Sequence, residues 1–105
     1  MGSNVLSERK QLSEEGICVV VVDINNVSGT VTSDPFIITR GVVYQDEMEA
    51  FVQDAKAAII ASLKEQDLRG MEPAVIKNTI KRNMSNFIFK RTKRRPMILT
   101  IVSLD

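Results

Sequence analysis

The feature that most limits the fold is a run of eight residues, 17–24, that is apolar at nearly every position. It reads ICVVVVDI, so β-branched side chains dominate it, and such side chains favour strands. A short run that is apolar at odd and even positions alike fits a strand covered on both faces. A second run of this kind, MILTIV, occupies residues 97–102.

In each strand one set of alternate side chains can face helices. The other set needs cover too, either from loops and the N-terminal tail or from another protein surface, and this is a strong indication of a partner.

The segment after the first run has the composition of a hairpin with an irregular second arm. Residues 25–29, NNVSG, supply turn chemistry, and β propensity resumes at 30–32. Pro35 interrupts this arm, which continues over 36–44. Gly41 lies within it, where glycine permits a bulge or a positive φ.

Two amphipathic helices are predicted next. Asp46 and Glu49 have the spacing of a capping box at the start of a helix that we expect to end at Arg69-Gly70, and Pro73 suits the first turn of the second helix. The expected buried stripe of the first helix is Met48, Phe51, Val52, Ala55, Ile59 and Leu63, and that of the second is Ile76, Ile80, Met84, Phe87 and Ile88.

The element order is therefore β-β-α-α-β, within one domain. The natural solution is a two-layer α+β fold, in which a three-stranded sheet has both helices packed on one face. We place the last strand beside the first, because both are the most apolar and central strands are the most buried. Residues 1–12 are polar and aperiodic and are interpreted as a flexible tag or linker, with Met1-Gly2-Ser3 as an expression scar, and 13–105 form the domain.

Composition removes most kinds of catalytic site. The chain has no histidine and one cysteine, which excludes histidine-based triads and metal sites and any multi-cysteine metal site. Cys18 lies among apolar neighbours and is interpreted as a core residue. The acidic residues of the first half show no motif spacing, and the five glycines are too dispersed for a phosphate-binding loop. We expect no catalytic residue, metal or cofactor in this chain.

No apolar run reaches the roughly 18–20 residues of a membrane span, which favours a cytosolic protein.

Charge is divided sharply along the chain, although the net charge is only +1. Residues 1–76 hold six basic and twelve acidic side chains, whereas 77–105 hold eight basic and one acidic. Three interpretations stay open: contact with RNA phosphates, pairing with carboxylates across an interface, and a solvated helix C-terminus. The candidate contact residues are Arg40 and the basic segment, defined as residues 90–95, with Lys90, Arg91, Lys93, Arg94 and Arg95.

Four segments carry a family resemblance. Residues 87–99, FIFKRTKRRPMIL, closely resemble the ending of ribonuclease J proteins, and 12–16, LSEEG, resemble the start of their C-terminal domain. Residues 35–44, PFIITRGVVY, and 76–78, IKN, resemble further segments of that domain in the same order. The similarity covers roughly residues 12–102. Val42 and Thr100 depart from the family, which often has Phe and Pro there, and this suggests a divergent member or a paralogue.

The resemblance implies a function for a longer parent protein. Such proteins are cytoplasmic ribonucleases that process and degrade RNA as metal-dependent 5′-to-3′ exonucleases with endonuclease activity. Their metallo-β-lactamase and β-CASP domains hold zinc, and their small C-terminal α/β domain is associated with dimer or tetramer assembly and full activity. The expected function is therefore a non-catalytic assembly domain, and the alternative is a basic RNA-binding module. The expected partners are the parent's own catalytic domains and other ribonuclease J subunits, with no membrane; zinc belongs to the catalytic part.

Overall fold

The computed structural model describes residues 15–104, so the predicted linker at 1–12 lies outside the described residues. The fold is α+β. The strands are β1 (Ile17–Asn25), β2 (Thr30–Val31), β3 (Phe36–Arg40) and β4 (Met97–Leu104). The helices are α1 (Met48–Lys64), which follows a 3₁₀ turn at Gln45–Glu47, and α2 (Pro73–Thr92). The predicted order is confirmed, except that the second hairpin arm is broken into two strands, which makes four strands rather than three.

β1 is the strand around which the sheet is built. β2 and β3 pair with it antiparallel, through Ile24↔Val31 and Val19↔Ile38 among others. β4 pairs with it in parallel along residues 17–24, so β2 and β3 must share the opposite edge of β1. The predicted neighbourhood of the first and last strands is confirmed. The prediction that β4 would be central is wrong, because β1 is its only partner among the described residues.

One face of the sheet and both helices enclose the core. The even-numbered side chains of β1, at 18, 20, 22 and 24, are fully buried, and the helices contribute their apolar stripes to the same cluster. This packing follows from the period of two in a strand and 3.6 in a helix. The stripe members that are buried as predicted are Phe51, Ala55, Ile59, Leu63, Ile76, Ile80, Met84 and Ile88.

The N-terminus of α1 differs from the prediction. Asp46 lies inside the 3₁₀ turn, so it cannot take the extended conformation of an N-cap, and the N-cap residue Glu47 makes no side-chain capping bond. The predicted capping box is therefore wrong. Pro73 does occupy the first turn of α2, as expected.

α1 also ends earlier than predicted, at Lys64 rather than at Arg69-Gly70. The chain leaves the helix so that Leu68 can enter the core, where it is 2% exposed. Asp67 Oδ1 then accepts the backbone N–H of Arg69 at 3.1 Å, a local bond that competes with helix continuation.

The second hairpin arm ends at Arg40 rather than at Tyr44, because Gly41 has a φ of +74° and turns the chain out of the sheet. Val42 then enters the core at 3% exposure instead of extending the strand. At the start of β1, Gly16 has a φ of +89°, and a Cβ there would overlap the carbonyl oxygen of Arg40. Gly16 also accepts the N–H of Met97 at 3.0 Å, so this glycine allows three strands to meet closely.

Candidate interaction surfaces

The sheet face opposite the helices is apolar and substantially exposed. On this open face, defined by the odd-numbered residues of β1 and their ladder partners, β1 contributes Ile17, Val19 and Val21, all half-buried. The neighbouring strands contribute the large apolar side chains that are most exposed. These are Phe36 at 58%, Ile38 at 39%, Leu99 at 48% and Ile101 at 52%.

Strand register aligns these side chains into two complete apolar rows. Val19 pairs with Ile38 on one side and Leu99 on the other, and the adjacent row joins Phe36, Val21 and Ile101. Ladder partners lie on the same face about 4.5–5.5 Å apart, so the rows are contiguous. Contiguous exposed apolar surface of this kind marks interaction sites more often than single exposed residues do.

The two ends of the open face carry opposite charges. At one end Arg40, which is exposed, pairs in the ladder with Ile17. At the other end Asp23 pairs with Ser103, and the Ser33 hydroxyl donates to Asp23 Oδ2 at 2.7 Å. An apolar centre therefore lies between a cation and an anion along the strand direction.

Within the basic segment, Arg91 is held in place by contacts inside the domain. Its Nη1 donates to Asp54 Oδ2 on α1 at 2.6 Å. The guanidinium also lies 5.6 Å from the Phe51 ring centroid and 5.9 Å from that of Phe87, a distance at which cation–π attraction operates. Arg91 therefore joins the two helices.

Arg94 ties the segment to the end of β3, because its Nη1 donates to the Gly41 carbonyl oxygen at 2.8 Å. Lys93 takes the left-handed conformation at the end of α2, with φ of 63°. The Lys93 amine and the Arg95 guanidinium both lie near the Phe89 ring, 5.4 and 4.2 Å from its centroid.

Of the predicted contact residues, the structure brings Arg94 beside Arg40 at one end of the sheet. Arg94 bonds to Gly41, the residue next to Arg40, while Lys90 and Arg40 are exposed. The sequence grouped Arg40 with the basic segment as candidate contacts but did not single out Asp23, which lies at the far end of the open face. The signal for Asp23 was its position as the one charged residue in the apolar run 17–24.

A groove of about 420 Å³ lies beside the basic segment, and Tyr44, Glu47, Arg91, Thr92 and Arg94 contribute to its lining. Its charges largely balance, since Glu47 accompanies Arg94 in the lining and Asp54 pairs with Arg91. The groove therefore offers side chains of both signs rather than a concentrated positive field.

The cysteine and the potential metal-binding side chains of the described residues form no reactive site. Cys18 is buried in the core, and burial raises the pKa of its thiol to about 12, which leaves it protonated and unreactive at neutral pH. Across residues 15–104, no group of three or more His, Cys, Asp or Glu side chains is placed to hold a metal ion. Neither α1 nor α2 is long and apolar enough to cross a membrane.

Comparison with known proteins places this arrangement in a family context. Residues 4–104 match the family model described as the ribonuclease J C-terminal domain. Ribonuclease J2 of Bacillus subtilis is 32% identical over 103 residues, which cover 97% of this chain and 19% of that protein. Ribonuclease J 2 of Staphylococcus saprophyticus is 35% identical over 105 residues, covering 98% of this chain and 19% of that protein.

The chain spans about a fifth of the length of these relatives. The matched region includes β1 through β4 and the basic segment, so the family match extends over the whole described fold. The chain belongs to the ribonuclease J C-terminal domain family.

Proposed function

We propose that this chain is the non-catalytic C-terminal domain of a larger ribonuclease J-like enzyme that processes and degrades RNA in the cytoplasm. Its role is to assemble subunits and so to support the activity of the catalytic part. That part would carry the metal-dependent 5′-to-3′ exonuclease and endonuclease chemistry, with zinc held outside this chain.

The open face is the observation that carries this proposal. Two rows of apolar side chains cross three strands, and their outer members are 39–58% exposed. Covering them removes apolar surface from water, which favours association at roughly 25 cal/mol per Å² before the costs of binding. Two arginines of the basic segment also favour assembly over RNA binding. Arg91 and Arg94 already bond to groups within the domain, so they are less available to RNA phosphates.

Light scattering on a size-exclusion column tests the proposal over a concentration series of this chain. We expect a dimer or larger species that persists on dilution, because the open face is covered in it. The double variant Leu99→Lys/Ile101→Lys should be monomeric with an unchanged circular dichroism spectrum, since both side chains are already about half exposed.

Val27 and Val75 provide the matched control. They are exposed apolar residues, at 83% and 47%, in the β1–β2 turn and on α2, away from the open face. Val27→Lys/Val75→Lys should associate as the unaltered chain does. A wild-type chain that stays monomeric at every concentration would contradict self-assembly by this domain.

A second candidate function is contact with RNA. It is favoured by the placement of Arg40 beside the basic segment at one end of the sheet, through the Arg94–Gly41 bond. Clustered cations bind phosphates with a steep dependence on salt.

Fluorescence anisotropy with a labelled single-stranded RNA tests this candidate across a range of salt concentrations. Arg40→Glu/Lys90→Glu should weaken binding and flatten the salt slope. Lys77→Glu/Lys81→Glu, which changes two exposed lysines elsewhere on α2, should have a smaller effect. Absence of binding at low salt would eliminate the RNA-binding role for the isolated domain.

A further inference from the structure

The open face has a charge pattern that is complementary to itself. We propose that two copies of this chain pack open face to open face about a twofold axis that runs across the strands, so that Arg40 of each copy meets Asp23 of the other. This inference rests on the proposed assembly function and adds the surface, the partner and the relative orientation.

The order of the rows along β1 defines the pattern. The first row holds Arg40, Ile17 and Met97, and the fourth holds Asp23 and Ser103. The second and third rows are entirely apolar and contain the four exposed side chains Phe36, Ile38, Leu99 and Ile101. The face is therefore basic at one end, apolar in the middle and acidic at the other end.

A twofold axis across the strands matches every row with a suitable partner. It places the first row of one copy over the fourth row of the other, and the second row over the third. The two apolar rows then cover each other, while Arg40 lies opposite the end that carries Asp23. Arg40 on β3 and Asp23 on β1 are offset laterally by one strand spacing, about 4.8 Å, and stacked sheets lie about 10 Å apart. The two backbones are therefore about 11 Å apart, a gap that an arginine and an aspartate side chain span when they extend toward each other.

The alternative axis, parallel to the strands, matches the charges poorly. This axis places each row over the same row of the partner, with β3 of one copy over β4 of the other. Arg40 then faces Met97, and neither Arg40 nor Asp23 meets an opposite charge. Both arrangements cover apolar surface, so the charges distinguish them. Charges at an interface contribute mainly to orientation and partner choice, and a twofold interface requires a patch that is complementary to itself.

Asp23 is suited to accept a second donor. Ser33 donates to one of its oxygens at 2.7 Å, and an ionised carboxylate has about four acceptor positions. The Ser33 bond fixes the orientation of the carboxylate at the edge of the apolar rows. Arg40 is exposed at the opposite end of the face, one strand away on β3.

A charge-exchange experiment tests the orientation. Arg40→Asp and Asp23→Lys each place like charges opposite each other in a homodimer, so each alone should raise the dimer Kd by at least about tenfold. In an equimolar mixture of the two variants, both contacts join opposite charges again. We expect heterodimers to dominate in native mass spectrometry and the Kd to return toward the wild-type value. Lys81→Asp, an exposed charge reversal on α2, should leave dimerisation unchanged.

The outcomes separate this inference from the proposed function. If Leu99→Lys/Ile101→Lys abolishes the dimer but the mixed variants show no preference for each other, the open face is the interface and the orientation is wrong. If the wild-type chain is monomeric, both proposals fail. If dimers persist in Leu99→Lys/Ile101→Lys, another surface forms them and this inference is overturned.

A double-mutant cycle covers the case in which Asp23→Lys does not fold. Arg40→Gln and Asp23→Asn are milder changes, and circular dichroism checks the fold of each. If the two side chains meet, the double variant should weaken the dimer no more than the stronger single variant does. Independent, additive losses would overturn the contact.

Discussion

The two faces of the sheet are made from similar residues, but one face is buried under the helices and the other is exposed. Val20 and Val22 of β1 point toward the helices and are 0% exposed, whereas Val19 and Val21 point to the open face and are half-buried. The side chains next to Val21 in the ladder, Phe36 and Ile101, are more than half exposed. Apolar composition is thus no guide to which face forms the core. Helix placement decides it: the face that the helices cover becomes the core, and the other face stays apolar and open.

The largest contrast should come from adjacent residues of β1. Val20→Lys buries an unpaired charge in the core, which costs several kcal/mol, so we expect loss of the cooperative thermal transition. Val21→Lys can extend its amine into solvent from the open face and should fold but fail to associate. Circular dichroism melts with light scattering check both variants. Equal loss of folding in both would show that the two faces are equally important for the fold.

A smaller contrast is expected from the same truncation on the two faces. Ile88 of α2 is 0% exposed, and Ile88→Ala should lower the free energy of unfolding by about 2–5 kcal/mol through lost contacts and a cavity. Ile101 of β4 is 52% exposed, and Ile101→Ala should cost less than about 1 kcal/mol. Urea denaturation at a concentration where light scattering finds monomers measures both. Similar losses would mean that Ile101 is packed within the domain.

The inner face also predicts a loss of stability at alkaline pH. Burial raises the pKa of Cys18 to about 12, above about 8.5 for an unfolded cysteine. The unfolded state therefore releases its proton first, and stability should fall by up to about 1.4 kcal/mol per pH unit between these values. Urea denaturation from pH 8 to pH 10 measures the slope, and Cys18→Val should remove that part of it. An unchanged slope in Cys18→Val would assign the effect to other groups.

The smallest effect is expected at the helix surface. Asp54 and Arg91 form an ion pair at 2.6 Å, with side chains 59% and 36% exposed, and exposed pairs contribute roughly 0.2–1 kcal/mol. Asp54→Asn should therefore destabilise the domain by less than about 1 kcal/mol, and added salt should reduce the difference. Thermal melts at low and high salt check this. A larger loss would indicate that Arg91 needs its carboxylate to remain packed on Phe51 and Phe87.

Local sequence pattern was sufficient to predict where most elements begin. The apolar runs marked β1 and β4, Pro73 marked the start of α2, and helical periodicity identified eight stripe residues that are buried. The predicted ends of α1 and β3 were wrong, because a residue beyond each element is buried in the core. Leu68 and Val42 are both buried after a turn. Burying them requires the chain to leave α1 and β3 earlier than secondary-structure propensity indicates.

The candidate surfaces were only partly predictable. Basic residues at 90–95 are evident in the sequence, but their contacts are not, because Arg91 meets Asp54 and Arg94 meets Gly41 across 37 and 53 residues of chain. Surplus apolar residues in both strand parities indicated a second apolar sheet face that needs cover. The sequence did not show which parity it would be, or that Arg40 and Asp23 would lie at its opposite ends.

By itself, the sequence determined the element order, the absence of histidine chemistry, the amphipathic helix faces and the family. The first three depend on composition and on neighbours within a few residues, which act through short-range sterics and periodic burial, and the family is evident from similar segments in the same order along the chain. Only the tertiary structure decided that β4 pairs in parallel with β1 at the sheet edge, and that Phe36, Ile38, Leu99 and Ile101 share one open face. Strand pairing joins residues about 80 positions apart, as in Val19↔Leu99. Its register depends on matching the buried faces of the two strands, and strands so far apart along the chain are not paired by any local pattern.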